Sequence, residues 1–158
     1  FDTVMMCFSK GLGAPIGSIL VGDAEVIARS RRGRKMFGGG MRQAGILAAA
    51  CLYALDHHVT RLADDHRRAR ALAERAARVP GLFADPAATE TNIVLIQVED
   101  PAWDARSVVQ ALAAWGIRTA AFGPRTVRAV THLDVDDQGI DRAGAALEAL
   151  AGAVPGPA

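Results

Sequence analysis

At 158 residues, 51% of them hydrophobic and 22% charged, the chain holds apolar content for one ordinary domain or part of a larger one. A formal charge of +1 gives no global pull toward nucleic acid or an anionic membrane. No apolar run reaches the ~20 residues that span a bilayer, and no signal peptide is visible.

The chain opens on Phe1, with no methionine, directly into a strand pattern, as though cut from something longer. The apolar run Val4-Met5-Met6-Cys7-Phe8 closes on Ser9-Lys10, and Gly11, Gly13 and Gly17 follow before a second apolar run over residues 18–22. This reads as strand, tight glycine loop, strand, with the Lys10 amine at the tip of the first strand. The glycines permit φ > 0 and leave open space beside the amine. A lysine so placed is desolvated on one side, which favours the neutral, nucleophilic amine that Schiff-base chemistry with a carbonyl cofactor needs. A dinucleotide loop would open a helix here instead of a strand, and a P-loop places its lysine after the glycines.

Asp23 is positioned to cap a helix running through residues 24–35. Its arginine-rich end reads as a solvated face whose cations suit the helix dipole. A nucleic-acid patch would need interleaved aromatics, which are missing. Lys35 and Arg42 are set apart because they flank Gly38-Gly39-Gly40, where cations can reach an anionic ligand. Residues 43–57 are apolar on nearly all sides, the mark of a helix buried within a domain or against another subunit. Residues 61–79 carry a clean stripe of Leu62, Ala69, Leu72, Ala73 and Ala76, ended by Pro80-Gly81. His57, His58 and His66 match no metal-ligand spacing and read as surface histidines among solvated charges. Cys7 and Cys51 lie in apolar runs and read as buried thiols of a reducing, cytoplasmic compartment.

Residues 82–91 are loop-like and take the domain boundary. Beyond them come a strand at 92–98, a helix at 104–115 stopped by Gly116, two strands at 117–121 and 126–131, and a closing helix at 138–150. That is a small α/β layer. The expected organisation is residues 1–84, residues 85–152, and a disordered Pro/Gly-rich tail at 153–158.

Three strings together resemble the low-specificity L-threonine aldolase family: Ser9-Lys10-Gly11-Leu12-Gly13-Ala14-Pro15-Ile16-Gly17-Ser18, the stretch from Arg34-Lys35-Met36-Phe37 through Gly38-Gly39-Gly40-Met41-Arg42-Gln43-Ala44-Gly45, and Arg128-Ala129-Val130-Thr131-His132-Leu133-Asp134. The resemblance implies an α/β subunit of the pyridoxal 5'-phosphate fold type I (aspartate-aminotransferase-like) class. It covers only the second half of the family's chain. Residues 1–84 would then be the end of the large cofactor-binding domain and its sheet with linking helices, and 85–152 the small domain. The implied activity is cleavage of L-threonine, L-allo-threonine and other β-hydroxy-α-amino acids to glycine and an aldehyde. A related type I transaminase, a β-eliminating lyase and a non-catalytic fragment are the alternatives.

On the same resemblance Lys10 carries the pyridoxal phosphate. Arg42 matches an arginine that reaches the cofactor phosphate from a neighbouring subunit, Lys35 matches a lysine near the site, and Arg128 matches the arginine that binds the substrate carboxylate. Without the resemblance, Arg128 in an apolar strand reads equally as an edge position pointing to solvent. His132 is expected to make a structural hydrogen bond. The implied assembly is a homodimer or homotetramer, with no metal, nucleic acid or membrane partner. The family's aspartate for the pyridine nitrogen, ring over the cofactor face and phosphate loop find no match in the nine residues before Lys10. The 158-residue segment alone is therefore expected to be inactive.

Overall fold

The computed structural model describes residues 1–151, which divide into two compact units, Phe1–Arg61 and the remainder from Leu62. In the first unit, β1 (Thr3–Cys7) and β2 (Ser18–Gly22) form the expected pair, antiparallel from Thr3↔Gly22 to Cys7↔Ser18. The apolar side chains of this hairpin are largely uncovered, with Met5 62% and Val21 57% exposed. Helix α1 (Ala24–Met36) begins after Asp23, but the Asp23 side chain makes no capping hydrogen bond. Its other end is closed by backbone alone. Gly38, at φ +87°, donates to the Lys35 carbonyl, and Gly39 donates to the Arg34 carbonyl. This paired closure satisfies the last carbonyls and needs a left-handed residue, which glycine supplies without strain.

Helix α2 (Gly45–His58) is the uniformly apolar stretch, and of its residues only Ala54 is fully buried. Ile46 is 81% exposed and Leu52 61%. The burial anticipated for α2 within its own domain is absent among the described residues. Cys7 and Cys51 are free and half-buried, not fully buried as expected.

The second unit begins with α3 (Leu62–Ala76), whose Ala69, Leu72, Ala73 and Ala76 are all buried. A four-stranded antiparallel sheet follows, in the order β3 (Leu82–Phe83), β4 (Ile93–Val98), β6 (Thr126–Val130), β5 (Ala120–Ala121). Along β4 burial alternates strictly: Val94, Ile96 and Val98 point into the core, and Ile93, Leu95 and Gln97 away from it. Helices α3, α4 (Ala105–Ala114) and α5 (Asp137–Leu150) supply the other side of that core through Leu72, Val108, Leu112, Ile140 and Leu147. One sheet face is therefore covered, as alternation requires of a half-buried sheet.

Local chemistry sets the helix limits. Asp104 and Ser107 form a reciprocal capping box at the start of α4. Asp136 accepts from the Gly139 N–H at 2.7 Å, which starts α5 at Asp137. At the end of α4, Gly116 and Ile117 donate back to Ala113 and Leu112, so the strand anticipated at 117–121 shortens to Ala120–Ala121. Arg68 Nε and Arg67 Nη2 both meet Asp137 Oδ1 at 2.9 Å, while Arg75 binds Glu148 at 3.0 Å and Asp141 at 3.2 Å, joining α3 to α5.

The units part at Arg61/Leu62, ahead of the boundary expected at 84/85. The reason is that the apolar stripe of α3 is spent on the sheet and α5. A short strand, β3, also occupies the start of the stretch read as loop. The tail at 153–158 lies outside the described residues. Among the described residues, no helix is long and apolar enough to cross a membrane.

Candidate active site

The loop between β1 and β2 is tied to its own ends. Phe8 N–H donates to Gly17 O at 2.9 Å, Ala14 N–H returns to Phe8 O at 3.0 Å, and Gly13 N–H donates to Lys10 O at 2.9 Å. Gly13 stands at φ +68° and Gly17 at φ +128°, where an L side chain is strained. Phe8, Leu12 and Ala14 fill the underside of the loop, each at most 7% exposed. With those side chains turned inward, Lys10 is left exposed at the tip. Lys10 has no hydrogen-bond or ion-pair partner among the described residues. The one-sided desolvation expected of it is absent among the described residues, where the Lys10 side chain is exposed.

Helix α2 holds the loop from 46 residues away: His58 Nδ1 lies 2.6 Å from the Leu12 carbonyl oxygen. Cys51 Sγ lies 3.5 Å from the Ile16 carbonyl oxygen, and a Cβ at Gly17 would come within 3.1 Å of the same sulfur. Sequence reasoning placed His58 on a solvated surface, yet it is half-buried. The available signal was spacing: Cys51, Ala54 and His58 recur at intervals of three and four on the helix.

Lys35 is exposed at the end of α1, and its Nζ would stand 2.8 Å from a Cβ built on Gly40. The amine thus lies over the glycine triplet. Arg42 is exposed just beyond it. These two cations and Lys10 all belong to the first unit.

Arg128 and His132 belong to the second. Arg128 sits on β6, an interior strand, opposite Leu95 of β4 and Ala120 of β5. It lies on the uncovered face and is half-buried, without a hydrogen-bond or ion-pair partner among the described residues. The edge-strand alternative is thereby corrected: β5 closes that side of the sheet. His132 is exposed, and its Nδ1 accepts from the Asp134 N–H at 3.2 Å, 3.6 Å from Asp134 Oδ2. A cavity of about 310 Å³ in this unit is lined by His132, Arg118 and Arg142 among others, but Arg128 does not reach it.

The arrangement offers an exposed amine on a rigid loop, two cations around a glycine turn, and a lone guanidinium on an apolar sheet face. The beta-eliminating lyase family model matches residues 1–99, well over half of the chain. The chain belongs to the beta-eliminating lyase family. Within the lyase relatives it is 41% identical over 141 residues to a probable low-specificity L-threonine aldolase of Arabidopsis thaliana, covering 89% of this chain and 40% of that one. It is 45% identical over 134 residues to the low specificity L-threonine aldolase of Escherichia coli K12, covering 85% and 38%. This member of the lyase family therefore spans about 40% of the length of the curated relatives it matches. In structure it resembles the Sphingomonas wittichii serine palmitoyltransferase at a TM-score of 0.74 and 18% identity, over 98% of this chain and 41% of that one. The fold is that of the type I class expected from the three strings.

Proposed function

We propose that this chain forms part of a pyridoxal-phosphate-dependent aldehyde lyase that cleaves L-threonine, L-allo-threonine and other β-hydroxy-α-amino acids to glycine and an aldehyde. The observation that carries this reading is Lys10, exposed and unpaired at the tip of a self-bonded glycine loop, in a chain 41–45% identical to two threonine aldolases. The residues fit the cofactor. A primary amine is free to bond its aldehyde, and the Lys35 ammonium lies against Gly40 with open space at Gly38 beside it, a place where positive charge could meet a phosphate.

When bound, the cofactor ring accepts the electron pair left on the substrate Cα as its bond to Cβ breaks. Lys10 would hold the cofactor through its amine. Lys35 and Arg42 supply positive charge for the phosphate, Arg42 from a neighbouring subunit. Arg128 takes the substrate carboxylate in a two-pronged grip. Fixing that group fixes the direction of the remaining Cα bonds, which a single-point ammonium could not do. Ile93, Leu95 and Val130 lie on the same sheet face and give the guanidinium apolar neighbours, beside which its attraction for a carboxylate is stronger than in open water.

The first unit would belong to the cofactor-carrying domain and the second to the small domain. The exposed apolar surface of α2 supports an assembly of at least two subunits. Free Cys7 and Cys51 support a reducing, cytoplasmic location. The segment alone is expected to be inactive, since the remaining anchors of the cofactor would come from the rest of a subunit of the relatives' length.

The test is made in such a subunit. Borohydride reduction should leave a pyridoxyl group on Lys10, and Lys10→Ala should abolish both the visible absorbance of the bound cofactor and glycine release from threonine. A label on any other lysine would overturn the assignment.

A further inference from the structure

We propose that His58 is a positioning residue for Lys10, acting through a hydrogen bond from its Nδ1–H to the carbonyl oxygen of Leu12. The proposal rests on the reading of Lys10 as the cofactor lysine. The bonds within the loop fasten Phe8, Gly13, Ala14 and Gly17. They leave the Leu12 carbonyl, two residues from Lys10, to be met from outside. His58 meets it at 2.6 Å.

A carbonyl oxygen only accepts, so the ring nitrogen facing it must carry the proton. The imidazole is itself held: Tyr53, one turn back on α2, packs edge-on to it with centroids 5.6 Å apart at 86°. Tyr53 is in turn stacked on His57, whose Nδ1 bonds the Tyr53 carbonyl at 2.9 Å. Two turns earlier, Cys51 reaches Ile16 on the far limb of the same loop. One helix face thus pins both limbs, and between the pins lies Ala54, 1% exposed.

The consequence for chemistry is geometric. A lysine side chain turns about four bonds, so its amine is no better placed than its Cα. Reacting atoms need placement to a fraction of an ångström. The glycines that let the loop turn also leave it pliable, and a hydrogen bond from a packed helix offsets that pliability.

The experiment compares two variants in the full-length subunit that contains this chain. His58→Phe keeps an aromatic ring against Tyr53 and removes the donor; His58→Asn keeps a donor nitrogen at the δ position. Two readouts are taken: hydrogen exchange at the Gly13 and Ala14 amides, and the release rate of bound pyridoxal phosphate. His58→Phe should raise both by about three- to tenfold, the worth of one net hydrogen bond. His58→Asn should return both to within about twofold of the parent. Unchanged exchange in His58→Phe would overturn the proposal. Faster exchange with unchanged cofactor release would reduce His58 to a structural role and overturn it equally. Should His58→Phe fail to fold, the imidazole nitrogens of the parent decide the matter by ¹⁵N NMR: a proton on Nδ1 is required, and a proton on Nε2 alone refutes it. Failure of the cofactor reading shows separately, as Lys10→Ala that still binds pyridoxal phosphate with its visible band.

Discussion

Arg128 stands opposite Leu95 and Ala120, with Ile93 paired to Val130 next along the same face. A guanidinium half-withdrawn from water beside apolar neighbours, with no partner among the described residues, is held at a cost that a bound carboxylate would offset. Arg128→Ala in an active parent is accordingly expected to raise KM and lower kcat together. The loss in kcat/KM should correspond to about 2–5 kcal/mol, because both the anchor and the alignment go. Arg128→Lys should recover only part of it, since an ammonium lacks the fork. Steady-state kinetics with threonine checks both variants, and unchanged values would exclude the role.

Between elements, the ties from α3 to α5 are ionic as well as apolar. The Arg68 guanidinium, and Arg67 after it, hold the Asp137 carboxyl below the usual carboxylate range; Arg75 does the same for Glu148. A carboxyl lowered in the folded state contributes stability above its unfolded value. That contribution is lost as pH falls through the folded one. The contribution should be complete above about pH 5 and fall away progressively below about pH 4, given ordinary values near 3.9 and 4.3 and folded ones beneath them. Asp137→Asn should lower the melting temperature at pH 7, and by progressively less as the pH falls below about 4. Both carboxyls are well exposed, so added salt should shrink the difference. Thermal unfolding across pH and salt measures this, and an effect that does not shrink at all as the pH falls would point to packing in place of charge.

For the molecule as a whole, the second unit has a closed core and the first does not. Residues 62–151 contain α3, the full sheet, α4 and α5 with their shared apolar cluster. That piece should fold cooperatively by itself. Residues 92–151, which omit α3 and β3, should not, because Val94, Ile96 and Ala129 would lose Leu72, Ala73 and Ala76 from above them. Calorimetry separates the cases: a cooperative transition for 62–151 and none for 92–151. A transition in both would show that α3 is dispensable. The hairpin and α2 of the first unit leave Met5, Val21, Ile46 and Leu52 in water, an apolar surface of the kind that other chain covers in stable proteins.

What the sequence by itself determined was local: strand, glycine loop and strand with Lys10 at the tip, the stripe of α3, and the helix that Gly116 stops. Each of these depends on residues within a few positions of one another, where φ preference and the periodicity of apolar positions act directly. The three strings extended that reading to family and fold, since they recur in order along most of the chain and not in one local conformation. Tertiary structure alone decided the rest. An amphipathic stripe such as that of α3 states that something must cover it but not what, so the 84/85 boundary moved to 61/62 once the stripe met β4 and α5. Alternation likewise gives Arg128 a face, while the strand order that makes β6 interior depends on where β5 returns. His58 looked like one more solvated histidine because its partner lies 46 residues earlier in the chain. A hydrogen bond across that distance exists only after the loop and the helix have packed, and no sequence-local preference encodes it.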